Sequence, residues 1–145
     1  MKSAATAYVG SILVLAMACG SQVPEVPSEE PVSYSVHLEP LVIAHCLSCH
    51  GSEEAKAKLV LDSGLGYERL VGPRSIQEPE MALVEPGDPE RSYLWLKLQH
   101  VTEEGKGMPR TVTGSKKLRE SELELYRRWV TRTLARSAGE GGAAT

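Results

Sequence analysis

Apolar residues recur at helical spacing in several short stretches of the chain, and this pattern predicts a mostly helical protein. The first stretch, 35–46, contains Pro40, which must either begin the regular part of the helix or kink it. A brief extended piece is expected at 58–61, followed by a second short helix at 63–71 with Asp62 as its cap. The first half of the domain is therefore expected to contain two helices with a brief extended piece between them.

The second half of the chain has clearer helix boundaries. Another extended piece is expected at 82–85, and Asp88 and Pro89 then suit the N-cap and the first helical position of a third helix. The positions 93–98 are apolar around much of a helix circumference, so this helix is expected to be buried on more than one side. A last helix is predicted at 118–134, because its apolar residues align and its acidic start and arginine-rich end complement the helix dipole.

Composition limits the core that these helices can build by themselves. The 145 residues include two Trp and no Phe, and a domain of roughly 100 residues with so few aromatic side chains has a thin core. A covalently held apolar cofactor would supply part of the missing surface. The net charge is −3, and the basic residues Lys116, Lys117 and Arg119 are more typical of a solvated face than of a nucleic-acid patch.

The first residues have the outline of an export signal. Lys2 precedes a short apolar run, 9–17, which is too short to cross a bilayer. The run leads into Ala18 and Cys19, which resembles a bacterial lipobox; in lipoproteins that cysteine is acylated and becomes the first residue of the mature chain. The alternative is an ordinary signal peptide cut near Ala18, which would leave Cys19 an incidental thiol.

The chain is therefore predicted to contain four segments. They are a lipoprotein-type signal peptide at 1–18, a lipid-anchored Pro/Glu-rich tether at 19–33, one folded domain at 34–135 and a disordered tail at 136–145. The proline and glutamate content of 20–31 predicts an extended, poorly packed stretch within the tether.

The segment CLSCH, with Cys46, Cys49 and His50, is the strongest chemical motif in the sequence. The pattern C-x-x-C-H is the attachment signature of c-type haem. Two thiols at this spacing can add across the two vinyl groups of one porphyrin, and the imidazole that follows can ligate the iron. Because Cys19 is assigned to a lipid, no cysteine remains for a disulfide.

Zinc binding and dithiol redox chemistry are the alternatives for this pair of cysteines. A tetrahedral zinc site normally needs a second Cys or His pair, but no cysteine follows Cys49 and the histidines at 37, 45 and 100 are scattered. A redox dithiol is typical of a strand-to-helix junction, which the sequence does not predict. Covalent haem is therefore the favoured interpretation.

A haem iron requires a sixth ligand or an open position, and this choice separates possible functions. Met108 is the best candidate, because Gly107 lets the backbone approach a flat ring and Pro109 fixes the chain directly after it. Met81 is the second candidate but lacks a glycine loop. His100 is the third, and it would give a bis-His iron with a lower potential.

These motifs together resemble class I, mono-haem c-type cytochromes, in a bacterial variety found in exported lipoproteins. The resemblance covers 38–130 and rests on the C-x-x-C-H segment, the Pro-Gly-Asp-Pro turn, the Ser-Tyr-Leu-Trp helix start, Gly-Met-Pro and the last helix. It implies an all-α cytochrome c fold with about four helices around one covalent haem c, and axial ligation by His50 and Met108. It also implies that the first and last helices pack together with Trp129 in the contact, whereas Arg119 stands where such sequences often have a helix-capping Ser or Thr.

The function that this resemblance implies is the transfer of single electrons between membrane-associated or periplasmic redox partners, without catalysis. The expected partners are redox proteins and a membrane reached through the lipid on Cys19, with no nucleic acid. The expected location is the cell envelope, on the outer membrane facing the periplasm, because Gly20 and Ser21 lack the aspartate linked to inner-membrane retention. The alternative function is that of a haem-based sensor or peroxidase-like enzyme with an open sixth position.

Overall fold

Short helices joined by turns account for most of the structure. The computed structural model describes residues 26–53, 55–103 and 106–133. Over these residues the α-helices are α1 (Glu39–His45), α2 (Leu47–His50), α3 (Gly66–Leu70), α4 (Tyr93–Gln99) and α5 (Glu120–Arg132). Strands β1 (Arg110–Thr111) and β2 (Gly114–Ser115) form an antiparallel hairpin in which Arg110 pairs with Ser115. The mostly helical class is confirmed, and the small hairpin is an addition that the hydrophobic pattern does not predict.

The first predicted helix is divided into separate pieces. A single wide helical turn, Tyr34–Leu38, precedes α1, and Pro40 lies in the first turn of α1, where its missing N–H group has no helical partner to lose. Cys46 ends α1 by donating its N–H to the Val42 carbonyl at 2.8 Å, and α2 begins at the next residue. Pro40 therefore begins the regular helix, and the C-x-x-C-H segment forms a helical turn of its own.

Helix α3 is shorter than the predicted helix at 63–71, and the Asp62 side chain does not cap it. The Asp62 carboxylate instead accepts a hydrogen bond from the Ser52 N–H at 3.2 Å, across the turn that follows α2. Gly66 begins α3 against the Tyr34 ring, and a Cβ atom at this glycine would overlap the Tyr34 hydroxyl. Close packing therefore requires a residue that weakens the helical pattern in the sequence.

The predicted start of the third helix belongs to a separate turn. The Asp88 carboxylate accepts a hydrogen bond from the Arg91 N–H at 3.2 Å and caps a 3₁₀ turn, Pro89–Arg91. Ser92 then becomes extended, and its buried hydroxyl accepts a hydrogen bond from the Glu85 N–H at 2.8 Å. Asp88 is therefore a capping residue as predicted, but it caps the turn before α4 and not α4 itself.

Helix α5 begins at Glu120, and Arg119 is its N-cap residue. An arginine side chain has no acceptor to offer the first N–H groups of a helix. The start of α5 is instead stabilised by a side chain within the helix that bonds back to the N-cap residue. The Glu122 carboxylate accepts hydrogen bonds from the Arg119 N–H at 2.9 Å and from the Arg119 guanidinium at 2.8 Å. This half of a capping box takes the place of the Ser or Thr cap that the family resemblance implies.

The core forms where α5 packs against the Tyr34–Leu38 turn and against α4. Trp129 of α5, Tyr34 and Tyr67 form an aromatic cluster with ring centroids 5.3 to 6.3 Å apart. Two of the three ring pairs are edge-to-face and the third is tilted, and edge-to-face pairs add to the stabilisation from burial alone. Trp129 therefore lies in the contact between the first and last helical regions of the domain.

Residues 26–30 are hydrogen-bonded to α5 through their backbone carbonyls, although the composition of 20–31 predicts an extended, poorly packed stretch. Arg128 donates hydrogen bonds to the carbonyls of Val26 at 2.8 Å and of Glu30 at 2.7 Å. Arg132 adds a hydrogen bond to the Glu30 carbonyl at 3.1 Å. These guanidinium groups satisfy carbonyls that lie outside helices and strands, so the part of the stretch that the structure describes is held on the domain.

Several predictions concern residues outside the described ranges. The signal peptide at 1–18, the acylated Cys19 and the tail at 136–145 belong to this group. Among the described helices, none has the length and apolar character that crossing a membrane requires.

Candidate functional site

A cavity of about 410 Å³ gathers the residues that the sequence singles out for haem. Its lining includes Cys46, Cys49 and His50 around α2, and Met108 from the loop before β1. Its volume lies in the range typical of cofactor pockets. Much of the remaining wall is apolar and is formed by Leu59, Leu61, Leu70, Leu83, Leu94 and Leu98.

The single turn of α2 sets the positions of the two thiols. The N–H groups of Cys49 and His50 both donate to the Cys46 carbonyl, at 3.0 and 2.9 Å. Residues three apart on a helical turn lie on one face, and both cysteines accordingly line the cavity. Gly51 then leaves the helix in an extended conformation.

His50 is buried and is oriented by a backbone carbonyl. Its Nδ1 atom lies 3.2 Å from the Leu59 carbonyl oxygen, and because that oxygen can only accept, Nδ1 carries the proton. In a neutral imidazole this leaves the Nε2 lone pair for a metal. The Leu61 N–H donates to the His50 carbonyl at 2.7 Å, which holds the backbone of the ligand as well. The arrangement suits His50 to bind iron through Nε2.

The Cys46 thiol lies in a poorly solvated position. Burial raises the pKa of Cys46 to about 11; a hydrogen bond from Tyr126 lowers it in part and the nearby Cys49 raises it. Burial therefore disfavours the thiolate form of Cys46, which is the form that reacts in a redox-active dithiol. Within 26–53, 55–103 and 106–133, no three His, Cys, Asp or Glu side chains form a cluster that could hold a metal ion. The first observation disfavours a redox dithiol, and the second means that a zinc site would lack further ligands among the described residues.

A buried carboxylate holds the residue before the attachment motif. The Glu122 side chain is 3% exposed, and its Oε1 atom lies 3.1 Å from His45 Nε2. Burial raises the pKa of Glu122, but hydrogen bonds from Arg119 and His45 outweigh burial and hold this pKa at about 2. One turn further along α5, the Tyr126 hydroxyl bonds the Cys46 sulfur. Helix α5 therefore contacts the side chains of two consecutive residues at the cavity wall.

Met108 lines the cavity, whereas neither Met81 nor His100 is among the described residues that line it. His100 instead uses its Nε2 atom in a 2.9 Å hydrogen bond to the Met108 carbonyl. The Met108–Pro109 peptide bond is cis, and Pro109 is buried beside Met108 in the cavity wall. Of the three candidates for a sixth ligand, only Met108 lies with the C-x-x-C-H residues.

Sequence reasoning missed the residues that support the site. Tyr126 and Glu122 reach it from α5, and Lys97 of α4 is buried in its wall and accepts the Met108 N–H through its backbone carbonyl at 2.9 Å. The helical periodicity predicts an inward position for Tyr126. No sequence signal pairs it with Cys46, because the two residues meet only through the fold.

The donor set fits a c-type haem: two thiols on one helical turn, an imidazole with Nε2 available, a thioether and apolar walls. The sequence model of the family described as Planctomycete cytochrome C matches residues 46–110. The match supports a cytochrome c-type domain. The matched segment begins at Cys46 and includes Met108, so the four candidate haem residues of the cavity fall within it. No curated protein and no solved structure matches the chain.

Replacing Glu122 by Gln should lower the free energy of unfolding by about 1–3 kcal/mol at pH 7, because the hydrogen bonds to Arg119 and His45 lose their charged acceptor. The folded pKa of about 2 lies below the ordinary value of 4.5, so the ionised carboxylate stabilises the fold above pH 4.5 and this contribution is lost as the pH falls toward 2. Urea unfolding of both proteins across this range measures the difference.

The matched control for this substitution is Glu124→Gln, which makes the same change at an exposed position of the same helix. It should leave the free energy of unfolding within about 0.5 kcal/mol of the parent value at every pH. A Glu122→Gln penalty that stayed constant from pH 7 to pH 2 would contradict the ionic role assigned to Glu122.

Proposed function

We propose that this protein is a mono-haem c-type cytochrome that carries single electrons between redox partners. The observation that carries the proposal is the convergence of Cys46, Cys49, His50 and Met108 on one largely apolar cavity. The sequence contains one C-x-x-C-H segment, which corresponds to one haem. The finer class is that of class I cytochromes, with the helices of the domain arranged around that haem.

Each of these residues has a distinct task in such a carrier. Cys46 and Cys49 hold the porphyrin through thioether bonds, and His50 offers Nε2 to the iron because its Nδ1 proton is engaged by the Leu59 carbonyl. Met108 offers a thioether, a ligand that favours a raised reduction potential. A bound haem supplies the one-electron couple itself.

The leucine-rich walls contribute by excluding water. An apolar environment disfavours the more highly charged ferric state, so burial of the site acts in the same direction as the Met108 thioether. The alternative, a sensor or peroxidase-like enzyme, needs an open sixth position. The presence of Met108 in the cavity wall favours the electron carrier over that alternative.

The visible spectrum of the haem-loaded protein tests the function directly. A low-spin c-type spectrum with the far-red band of an iron–thioether bond is expected, and Met108→Ala should remove that band and lower the midpoint potential. Met81→Ala is the matched control and should change neither property. A high-spin spectrum of the parent protein would favour the open-site alternative, and the absence of a Soret band would exclude both functions.

The charge around the cavity supports a partner with an acidic face. The described lining residues include five exposed or half-buried Lys and Arg side chains and no Asp or Glu, although the whole chain has a net charge of −3. Surface charge of one sign at a docking site accelerates association with partners of the opposite sign. These five residues are Lys56, Lys58, Arg69, Arg74 and Arg110, whereas a sixth basic residue, Lys97, is buried in the cavity wall.

Arg69→Glu should slow the oxidation of the reduced protein by hexacyanoferrate(III), an anionic oxidant, by about 2- to 5-fold at low ionic strength. Arg127→Glu makes the same charge change on an exposed residue of α5 that does not line the cavity, and it should have a smaller effect. Stopped-flow measurements at low and high salt provide the comparison. Equal rates for the two variants would show that the local charge at the cavity does not steer the oxidant.

The location proposed for this carrier is the periplasmic face of the outer membrane, with a lipid on Cys19 as the anchor. The support comes from the sequence: a short apolar run precedes Ala18 and Cys19, and no aspartate follows the cysteine. The hydrogen bonds from Arg128 and Arg132 to the carbonyls of residues 26–30 support a tether that joins the domain beside α5.

Cys19→Ala should move the protein, expressed in a bacterial host that attaches haem c, from the detergent phase to the aqueous phase in a detergent partition. Its haem spectrum should remain that of the parent, because Cys19 lies outside the attachment motif. If the variant still partitioned with the detergent, the lipid on Cys19 would not be the anchor.

A further inference from the structure

His100 has a backbone conformation that is uncommon for its residue type. It lies at the end of α4 with φ 62° and ψ 35°, in the left-handed region that favours glycine. The His100 N–H donates to the Lys97 carbonyl at 3.2 Å and the Val101 N–H donates to the Leu96 carbonyl at 3.1 Å. These are the two hydrogen bonds of a Schellman motif, in which glycine is the usual left-handed residue. Because glycine is the usual residue at this position, a histidine here indicates that its side chain makes a needed contact.

The His100 side chain is engaged by the loop that contains Met108. Its Nε2 atom donates to the Met108 carbonyl at 2.9 Å. Its ring lies directly against Gly107, where a Cβ atom would overlap the ring carbons. Gly107 does not have a positive φ, so the ring and not the backbone conformation is what excludes a side chain there.

Lys97 holds the same loop from the preceding turn of α4. Its carbonyl accepts the Met108 N–H at 2.9 Å, and its Nζ atom donates to the Lys106 carbonyl at 3.2 Å. The side chain is 4% exposed and its Nζ atom lies 4.9 Å from the centre of the Tyr93 ring. The N–H and the C=O of Met108 are therefore both bound by the end of α4.

We infer that His100 and Lys97 are positioning residues that hold the Met108 thioether at the cavity as a haem ligand. The inference rests on the proposed function, because it requires a haem whose sixth ligand is Met108. Hydrogen bonds on both backbone groups of Met108 restrict the loop to conformations in which the thioether faces the cavity. The loop loses less conformational entropy on ligation, so the iron–sulfur bond competes better with external ligands.

Imidazole binding to the ferric haem protein measures how firmly Met108 is held. His100→Gly removes the ring and places glycine where the left-handed conformation favours it, so the end of α4 should be preserved. Imidazole should bind this variant about 3- to 10-fold more tightly than the parent at pH 7, and the far-red thioether band should weaken.

His100→Gln is the matched control for this change. Its side-chain amide reaches about as far as Nε2 and can donate to the Met108 carbonyl, whereas its left-handed backbone conformation is no easier than that of histidine. The imidazole affinity should return toward the parent value. If Gln behaved like Gly, the hydrogen bond to the Met108 carbonyl would not be the holding contact.

A second pair of variants tests the contact between the His100 ring and Gly107. Gly107→Ala alone should displace the loop, because the new Cβ atom meets the ring, and imidazole should then bind about 3- to 10-fold more tightly. In the His100→Gly background the ring is gone, so the same alanine should leave the imidazole affinity unchanged. Additive effects of the two substitutions would contradict the proposed contact.

The outcomes separate this inference from the proposed function. Haem content, measured as the pyridine haemochrome, and the unfolding midpoint should be the same for the His100→Gly and parent proteins. If the parent shows a low-spin, thioether-ligated spectrum and His100→Gly leaves the imidazole affinity unchanged, the positioning role is wrong and the function stands. If the parent lacks the far-red band, the function as proposed fails before His100 is tested.

Discussion

The contact between α5 and the start of the C-x-x-C-H turn is the constraint on which the rest of the site depends. Glu122 holds His45, and Tyr126 bonds the sulfur of Cys46, so two neighbouring residues of the cavity wall are fixed from one helix. The same face of α5 carries Trp129 into the aromatic cluster with Tyr34. A displacement of α5 would therefore move the attachment site and open the core together.

Backbone carbonyls orient both candidate axial ligands. The Leu59 carbonyl selects the Nδ1-protonated form of His50, and the Lys97 carbonyl accepts the Met108 N–H. His100 completes the set by donating to the Met108 carbonyl. These hydrogen bonds orient His50 and Met108. Fixed orientation suits a site in which two protein ligands must remain in place while an electron moves.

The sequence identified Asp88 and Asp62 as side chains that accept backbone hydrogen bonds, but it did not identify which N–H groups they bind. Asp88 is a capping residue, but it caps the turn at Pro89–Arg91, because Ser92 becomes extended to form its buried hydrogen bonds before α4 begins. Asp62 has the right side chain for a cap, yet it bonds the Ser52 N–H instead. The path of the chain decides which N–H group each carboxylate binds, because Ser52 is ten residues from Asp62 along the sequence.

The sequence by itself determined that two thiols and an imidazole lie close together, because the chain joins them within five consecutive residues, and this spacing is the signature of c-type haem attachment. It also indicated Met108, through the glycine and proline beside it. Only the tertiary structure decided that Met108, and neither Met81 nor His100, lies with those residues, and that His100 holds Met108 through its carbonyl. The physical reason is that these contacts join segments far apart in the chain, whose approach depends on how α4 and α5 pack around the cavity.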